Sequence, residues 1–172
     1  MLFLLRSRIS RNCEQLAYRE RTQAMSAESG SESIDIQATP EAIFQVMTDI
    51  DSFPKWMDEF KEATVLDRDD QGRPSRASFE LDAKIKTVRY VLAYSYPEGG
   101  LAWESEPGGD VKLIKGSYLM SPAPSGVDTT TVTYNFEIDP GFPVPSFIRR
   151  QAVKMIVARA LGGLKKRVES GA

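Results

Sequence analysis

The chain has 172 residues, of which 41% are hydrophobic and 27% are charged, a balance typical of one soluble globular domain. It contains one cysteine, Cys13, and no histidine, which excludes an internal disulfide, histidine-based general-base or nucleophile systems, and the usual zinc and non-haem iron sites. Its formal net charge of −2 lacks the basic excess typical of nucleic-acid binding, so we expect no nucleic-acid partner.

The first thirty residues differ in composition from the rest. Their apolar run is only four residues long, too short for a membrane span or a secretory signal, and Glu14 and Glu20 are atypical of a mitochondrial presequence. We expect residues 1–30 to be a disordered extension, with Met25 as the true start, and residues 31–170 to form the domain. Because a single cysteine suits a reducing compartment, we expect the protein to be cytoplasmic.

The domain opens with a strand that runs into two short helices. Residues 33–38 alternate apolar and polar side chains, which predicts a strand. Thr39 followed by Pro40 is a helix start, with an N-cap and a proline at the first helical position. A second short helical turn is predicted over residues 49–54.

After residue 62 the apolar residues recur with a spacing of two, in segments rich in Val, Thr, Tyr and Phe. The short separators between these segments are rich in Gly, Pro and Asp, which favours antiparallel hairpins. Six further strands are therefore predicted, over residues 63–68, 75–83, 87–96, 101–106, 111–121 and 129–138.

The longest predicted helix spans residues 146–169, with Ser146 as its N-cap. Apolar residues occupy one side of it and basic residues the other. Gly162 and Gly163, in its second half, each cost about 1 kcal/mol relative to alanine, so we expect close packing or room for a ligand there. The apolar stripe consists of Val153, Ile156, Val157, Ala160, Leu161, Leu164 and Val168.

This element order predicts an α+β domain with a single sheet. A twisted antiparallel sheet of seven strands has one face to cover, and only the long C-terminal helix is large enough to cover it. Where a curved sheet embraces one helix, side chains seldom fill the space completely, so we expect a cavity between the two.

Several segments resemble the START-like (SRPBCC) superfamily, in the small actinobacterial members of its polyketide cyclase/dehydrase and coenzyme Q-binding branch. The segments are 34–56, 72–74, 116–118, 131–134 and 161–169, and the resemblance extends over residues 32–170. It implies a helix-grip (START/Bet v 1-like) fold, in which a seven-stranded curved antiparallel sheet wraps around the C-terminal helix, with two short helices after the first strand. It also implies a deep apolar cavity that holds lipids, sterols, quinones or polyketides.

The resemblance leaves the activity open, because fold alone does not determine chemistry. Its aromatic-cyclase members use an interior tyrosine and an arginine on a central strand, and the matching positions here are Phe60 and Ser95. We therefore predict binding or transport of a hydrophobic small molecule, without catalytic residues, metal or cofactor. A cyclase or dehydratase is one alternative, and a ribosome- or protein-interacting, toxin-like protein is another.

Tyrosines recur at inward positions of three predicted strands. An aromatic ring with a hydroxyl tip suits an apolar ligand that bears one or two polar groups, although ordinary core packing is the competing interpretation. We expect Trp56 and Phe60 at the cavity rim, and Met155 and Arg159 on the helix to face or edge the cavity. The predicted ligand-binding residues are Trp56, Phe60, Phe79, Tyr90, Tyr94, Trp103, Tyr118, Tyr134, Met155 and Arg159.

Charged residues complete the prediction. The strand carboxylates Glu80, Asp82, Glu104 and Glu106 alternate with inward apolar residues, so we expect them on the solvent side of the sheet. Arg159, at the margin of the apolar stripe, would pair with a ligand carboxylate or phosphate. The helix face from residue 149 to 167, with seven basic residues and no acid, would contact an anionic membrane weakly or remain a solvated face.

Overall fold

The computed structural model describes residues 27–83, 86–124, 126 and 128–171. Seven strands, two α-helices and one 3-10 helix follow one another in this part of the chain. They are β1 (Glu28–Ile36), α1 (Pro40–Thr48), the 3-10 helix (Ile50–Lys55), β2 (Phe60–Arg68), β3 (Pro74–Asp82), β4 (Thr87–Ser95), β5 (Gly100–Ser105), β6 (Leu113–Pro122), β7 (Thr130–Asp139) and α2 (Ser146–Glu169).

The strands form one antiparallel sheet in the order β1-β7-β6-β5-β4-β3-β2. The long helix α2 covers one side of this sheet, which we call the inner face, and the opposite side is the outer face. α2 packs mainly against β1, β7 and α1, at one edge of the sheet. The predicted architecture of a curved sheet around a C-terminal helix is therefore confirmed.

The first strand begins earlier than the alternation predicted. β1 starts at Glu28 and pairs with β7 from Glu28↔Ile138 to Ile36↔Thr130. Residues 28–30 therefore belong to the sheet and not to an N-terminal extension, because β7 is long enough to pair with them. Residues 1–26, including the proposed start at Met25, lie outside the described residues.

The N-cap predicted for α1 is confirmed, whereas the N-cap predicted for α2 is wrong. Thr39 caps α1 as predicted, since its Oγ1 accepts a hydrogen bond from the backbone N–H of Ala42 at 3.4 Å. At α2 the N-cap is Pro145, not Ser146. The carbonyl of Pro145 accepts hydrogen bonds from the backbone N–H groups of Ile148 and Arg149, at 3.0 and 3.1 Å.

Helix α2 lies close to the sheet at Gly30 of β1. A Cβ atom at this position would lie 2.8 Å from Cγ1 of Val153, a distance that packed atoms do not tolerate. Val153 and Val157, both buried, fill the space that the missing side chain leaves. Glycine at position 30 thus sets the distance between helix and sheet at this edge.

A second close contact lies within the inner face. Trp103 of β5 lies over Gly116 of β6, with which it is paired. A Cβ atom at Gly116 would lie 2.5 Å from the indole ring and 3.0 Å from the backbone oxygen of Asn135. The indole ring of Trp103 can therefore occupy this position only because residue 116 has no side chain.

The two glycines of α2 have different surroundings. A Cβ atom at Gly163 would make ordinary contact with the ring of Trp56 at 3.5 Å, whereas no atom lies within 4 Å of one at Gly162. Close packing thus accompanies Gly163 only. In the described part of the chain, no helix is long and apolar enough to cross a membrane.

Replacement of the crowded Gly116 and of the open Gly162 by alanine should have opposite effects on stability. Gly116→Ala should lower the free energy of unfolding by about 1–3 kcal/mol, because the new methyl group overlaps the Trp103 ring and the Asn135 carbonyl. The matched control Gly162→Ala should raise it by about 1 kcal/mol, since it improves helix propensity in open space. Urea denaturation measures both, and equal effects would contradict the described packing at Gly116.

Candidate ligand-binding site

Aromatic side chains line the inner face on the side that α2 leaves uncovered. Tyr118 pairs with Tyr134 across β6 and β7, and their ring centroids are 4.5 Å apart. Trp103 lies between them and Tyr94, with centroid distances of 5.3 Å to Tyr118 and 6.3 Å to Tyr94. Together with Tyr90 of β4, these residues bring five of the ten predicted site residues into one region.

The hydroxyl groups of Tyr90, Tyr94, Tyr118 and Tyr134 form what we call the tyrosine cluster. Among the described residues, none of the four hydroxyls has a hydrogen-bond partner, and none is an atom fully enclosed by protein. Burial raises the pKa of each above its ordinary value near 10. For Tyr94 and Tyr134 the other tyrosines of the cluster raise the pKa further, so the hydroxyls lie near one another.

Three of the four tyrosines, Tyr90, Tyr94 and Tyr118, are only half-buried although they face inward. The main contacts of helix α2 are with β1, β7 and α1, at one edge of the sheet. The tyrosine cluster therefore lies on the part of the inner face away from these contacts, where its hydroxyls are not fully enclosed by protein atoms.

The inner face of the sheet carries no charge along five strands. The inward positions of β3 to β7 hold apolar residues, tyrosines, Ser75, Ser105 and Thr130, and no Asp, Glu, Lys or Arg. Ser105 accepts a hydrogen bond from the backbone N–H of Ile114, and Thr130 donates one to the carbonyl of Ala38. The tyrosine hydroxyls and the hydroxyl of Ser75 are thus the inward side-chain groups of these strands that have no hydrogen-bond partner among the described residues.

A second group of aromatic side chains extends along the inner face toward the 3-10 helix. Phe79 lies between Phe60 and Tyr90, at centroid distances of 5.5 Å from both. Phe53 of the 3-10 helix contacts Trp56 at 5.4 Å and Phe60 at 5.9 Å. Trp56 and Phe60 are half-buried, which fits the rim position expected for them. Sequence reasoning missed Phe53, because a residue in a 3-10 turn belongs to neither a helical nor a strand pattern.

The two residues predicted on α2 lie elsewhere. Met155 is 47% exposed and lies on the outer side of the helix, two positions from the buried Val153 and Val157. Arg159 is also exposed, and its Nη1 donates to Oε1 of Glu59 at 2.7 Å, which joins the helix to the loop before β2. The structure therefore does not bring Met155 or Arg159 to the tyrosine cluster.

Tyr96, directly after β4, differs from the tyrosines of the cluster. Its hydroxyl donates a hydrogen bond to the carbonyl oxygen of Pro74 at 2.5 Å, and the guanidinium of Arg73 lies 4.1 Å from its ring centroid. Burial raises the pKa of Tyr96 to about 12. Because its hydroxyl already has a protein partner, Tyr96 serves as a comparison for the partner-free hydroxyls of the tyrosine cluster.

The outer face of the sheet is chemically different. It carries a shallow depression of about 870 Å³, in which small polar residues accompany Glu104, Lys115 and Glu137. Ser95, matched to the arginine position of aromatic cyclases, is exposed here and does not face the cavity. The strand carboxylates also lie outward as predicted, in the salt bridges Glu80–Arg89, Asp82–Lys61, Glu104–Lys115 and Glu106–Arg76.

Comparison with known proteins gives the family. The family model described as polyketide cyclase / dehydrase and lipid transport matches residues 28–169. The chain belongs to this family. Among proteins with curated descriptions, none matches it in sequence.

Several solved structures have a fold similar to that of this chain. A START superfamily protein from Mycobacterium smegmatis is 22% identical, with a TM-score of 0.76 over 84% of this chain and 99% of that one. The Zhui aromatase/cyclase from Streptomyces sp. R1128 is 10% identical, with a TM-score of 0.66 over 83% and 94%. A STAR-related lipid transfer protein from Xanthomonas axonopodis is 18% identical, with a TM-score of 0.65 over 82% and 85%. These likenesses confirm the START-like fold.

Removing a hydroxyl should distinguish the tyrosine cluster from Tyr96. Tyr118→Phe should leave the free energy of unfolding of this family member unchanged or slightly higher, because no protein hydrogen bond is lost. Tyr96→Phe should lower it by about 1 kcal/mol, because the carbonyl of Pro74 loses its donor. Urea denaturation compares the two, and an equal loss in both variants would show that the Tyr118 hydroxyl has a protein partner.

The raised pKa values predict a loss of stability in alkali. Below about pH 10 the tyrosines are neutral in both the folded and the unfolded chain, so they add no pH dependence. Above about pH 10 only the unfolded chain releases these protons, and each tyrosine lowers the free energy of unfolding by about 1.4 kcal/mol per pH unit until its folded pKa is reached.

Urea denaturation at increasing pH, combined with the Tyr118→Phe variant, measures this effect. The variant should show a slope shallower by about 1.4 kcal/mol per pH unit than the wild type. Identical slopes would mean that the Tyr118 hydroxyl is exposed to bulk water in the folded protein.

Proposed function

We propose that this protein binds and carries a hydrophobic small molecule, of the lipid, quinone or polyketide-like class, between the inner face of its sheet and α2. The observation that carries the proposal is the tyrosine cluster, four hydroxyls without protein partners on a neutral, apolar wall. A ligand that brings its own hydroxyl or carbonyl groups would satisfy them. The single cysteine is in keeping with action in the reducing cytoplasm.

The energetics favour a largely apolar ligand. Removal of about 300 Å² of apolar ligand surface from water contributes about 7 kcal/mol at roughly 25 cal/mol per Å², from which the cost of association is subtracted. Hydrogen bonds to the tyrosines then select orientation, each adding about 1 kcal/mol. A charged group in the same place would lose its hydration without gaining a counter-ion, so the ligand is neutral where it meets the cluster.

A cyclase or dehydratase remains the second candidate, and one observation favours it. Neutral phenols that converge on one space can donate to a carbonyl oxygen and stabilise an enolate as it forms. The same raised pKa values make the tyrosines poor bases at neutral pH. The inward positions of β3 to β7 hold no carboxylate and the chain has no histidine, and Glu32 of β1, which pairs with Tyr134, is exposed. These strands therefore supply no buried proton acceptor. Binding is therefore the better-supported function.

Three naphthalene probes of similar shape test the proposal by fluorescence titration. Naphthol should bind more tightly than naphthalene, because its hydroxyl reaches the tyrosine cluster, and more tightly than naphthoate, whose charge is not compensated. Tyr118→Phe should weaken naphthol binding about fivefold, equivalent to one hydrogen bond of about 1 kcal/mol, and leave naphthalene binding unchanged.

Tyr96→Phe is the matched control, since its hydroxyl is already bonded to Pro74, and it should leave naphthol binding unchanged. Native mass spectrometry of the protein as purified, followed by organic extraction, identifies any resident ligand. Failure to take up any of the three probes would refute the carrier function, and tightest binding of naphthoate would refute the neutral ligand class.

A further inference from the structure

Large apolar side chains on the surface are concentrated in one short segment. The described residues expose seven of them, and five lie between residues 142 and 156. Scattered exposed apolar residues are normal, but a cluster of this kind marks an interaction surface. We call these five residues the apolar patch: Phe142, Phe147, Ile148, Met155 and Ile156.

Three residues of the patch lie on one side of α2. Phe142 precedes the helix, and Ile156, predicted in the inward stripe, is 37% exposed at the margin of the buried side. Phe147, Ile148 and Met155 are separated by one, seven and eight positions, so they occupy one side of the helix at 100° per residue. This side is opposite the stripe that is buried against the sheet around Val153 and Val157. Phe147 is 70% exposed, more than any other large apolar residue of the described chain. The first half of α2 therefore has two apolar sides, of which the fold buries one.

Basic residues lie beside the patch, although the chain as a whole is acidic. Between residues 140 and 168 the sequence has no acidic residue and seven basic ones, of which Arg149, Arg150, Lys154 and Arg159 lie within three positions of a patch residue and the other three lie farther along the helix. Arg150 and Arg159 form salt bridges with Glu28 and Glu59, at 3.4 and 2.7 Å, whereas Lys154 forms none with a described residue. No acidic residue occupies the first turn of α2, so the positive end of the helix dipole is not neutralised there.

We propose that the first half of α2 docks on an anionic lipid surface. The apolar patch would enter the boundary between headgroups and acyl chains, and Lys154 with its basic neighbours would contact the lipid phosphates. A second copy of the chain fits this surface less well, because a symmetric contact would place the same basic residues against each other. The proposal goes beyond ligand binding and does not depend on it.

Sedimentation with lipid vesicles tests the proposal on the full chain without added ligand. Vesicles of phosphatidylcholine alone are compared with vesicles in which one third of the lipid is phosphatidylglycerol. The protein should partition at least tenfold more strongly to the anionic vesicles. This preference should largely disappear between about 0.1 M and about 1 M salt, as the Debye length falls from about 10 to about 3 Å.

Surface variants separate the apolar and ionic contributions. The double variant Phe147→Ser, Met155→Ser should reduce partition to anionic vesicles at least tenfold. Lys154→Gln should reduce it about fivefold, the equivalent of about 1 kcal/mol per cation at a membrane surface. The control is Leu66→Ser, Leu119→Ser, which removes two apolar residues from other surfaces, 45% and 43% exposed against 70% for Phe147 and 47% for Met155, and should change nothing.

Circular dichroism and thermal unfolding check that all variants fold like the wild type. The proposal is overturned if the protein binds neither type of vesicle, if it binds both equally, or if the control variant loses as much binding as the α2 variants. A protein that takes up naphthol but ignores vesicles would retain the proposed function and lose this inference, and the reverse result would do the opposite.

Discussion

The close approach of α2 to β1 at Gly30 is the constraint on which the rest of the structure depends. The main contacts of the helix are with β1, β7 and α1, at this edge of the sheet. The inner face of the middle strands instead carries aromatic rings, and three of its tyrosines are half-buried. The space proposed for the ligand therefore lies away from the contact at Gly30.

Charged side chains are separated from the inner face of the middle strands. Acidic and basic residues of the strands pair on the outer face, whereas the inward positions of β3 to β7 are neutral. The helix has its buried apolar stripe inward, whereas its cations and the apolar patch lie on the exposed surface. A neutral interior within a charged exterior is what a carrier of apolar cargo requires, since the cargo then meets no uncompensated ion.

Much of this was predictable from the alternation of residues. Every strand after the first was located to within three residues, because apolar and polar positions alternate there. The start of β1 was missed because its first residues are small and polar, and only pairing with β7 orders them. The inward-facing tyrosines were predictable, because residues two apart in a strand lie on the same face of the sheet. Met155 and Arg159 were not, since the rotation of α2 about its own axis depends on how the helix packs on Gly30 and the residues around it.

The seam at Gly30 also has a consequence for how this family can diversify. A larger residue there would meet Cγ1 of Val153, a β-branched side chain with few alternative rotamers, so the helix or the strand would have to shift. Because α2 forms one side of the proposed binding space, such a shift would change that space without a change in the tyrosine cluster. The dimensions of the space and the residues that recognise the ligand can therefore change independently in this fold.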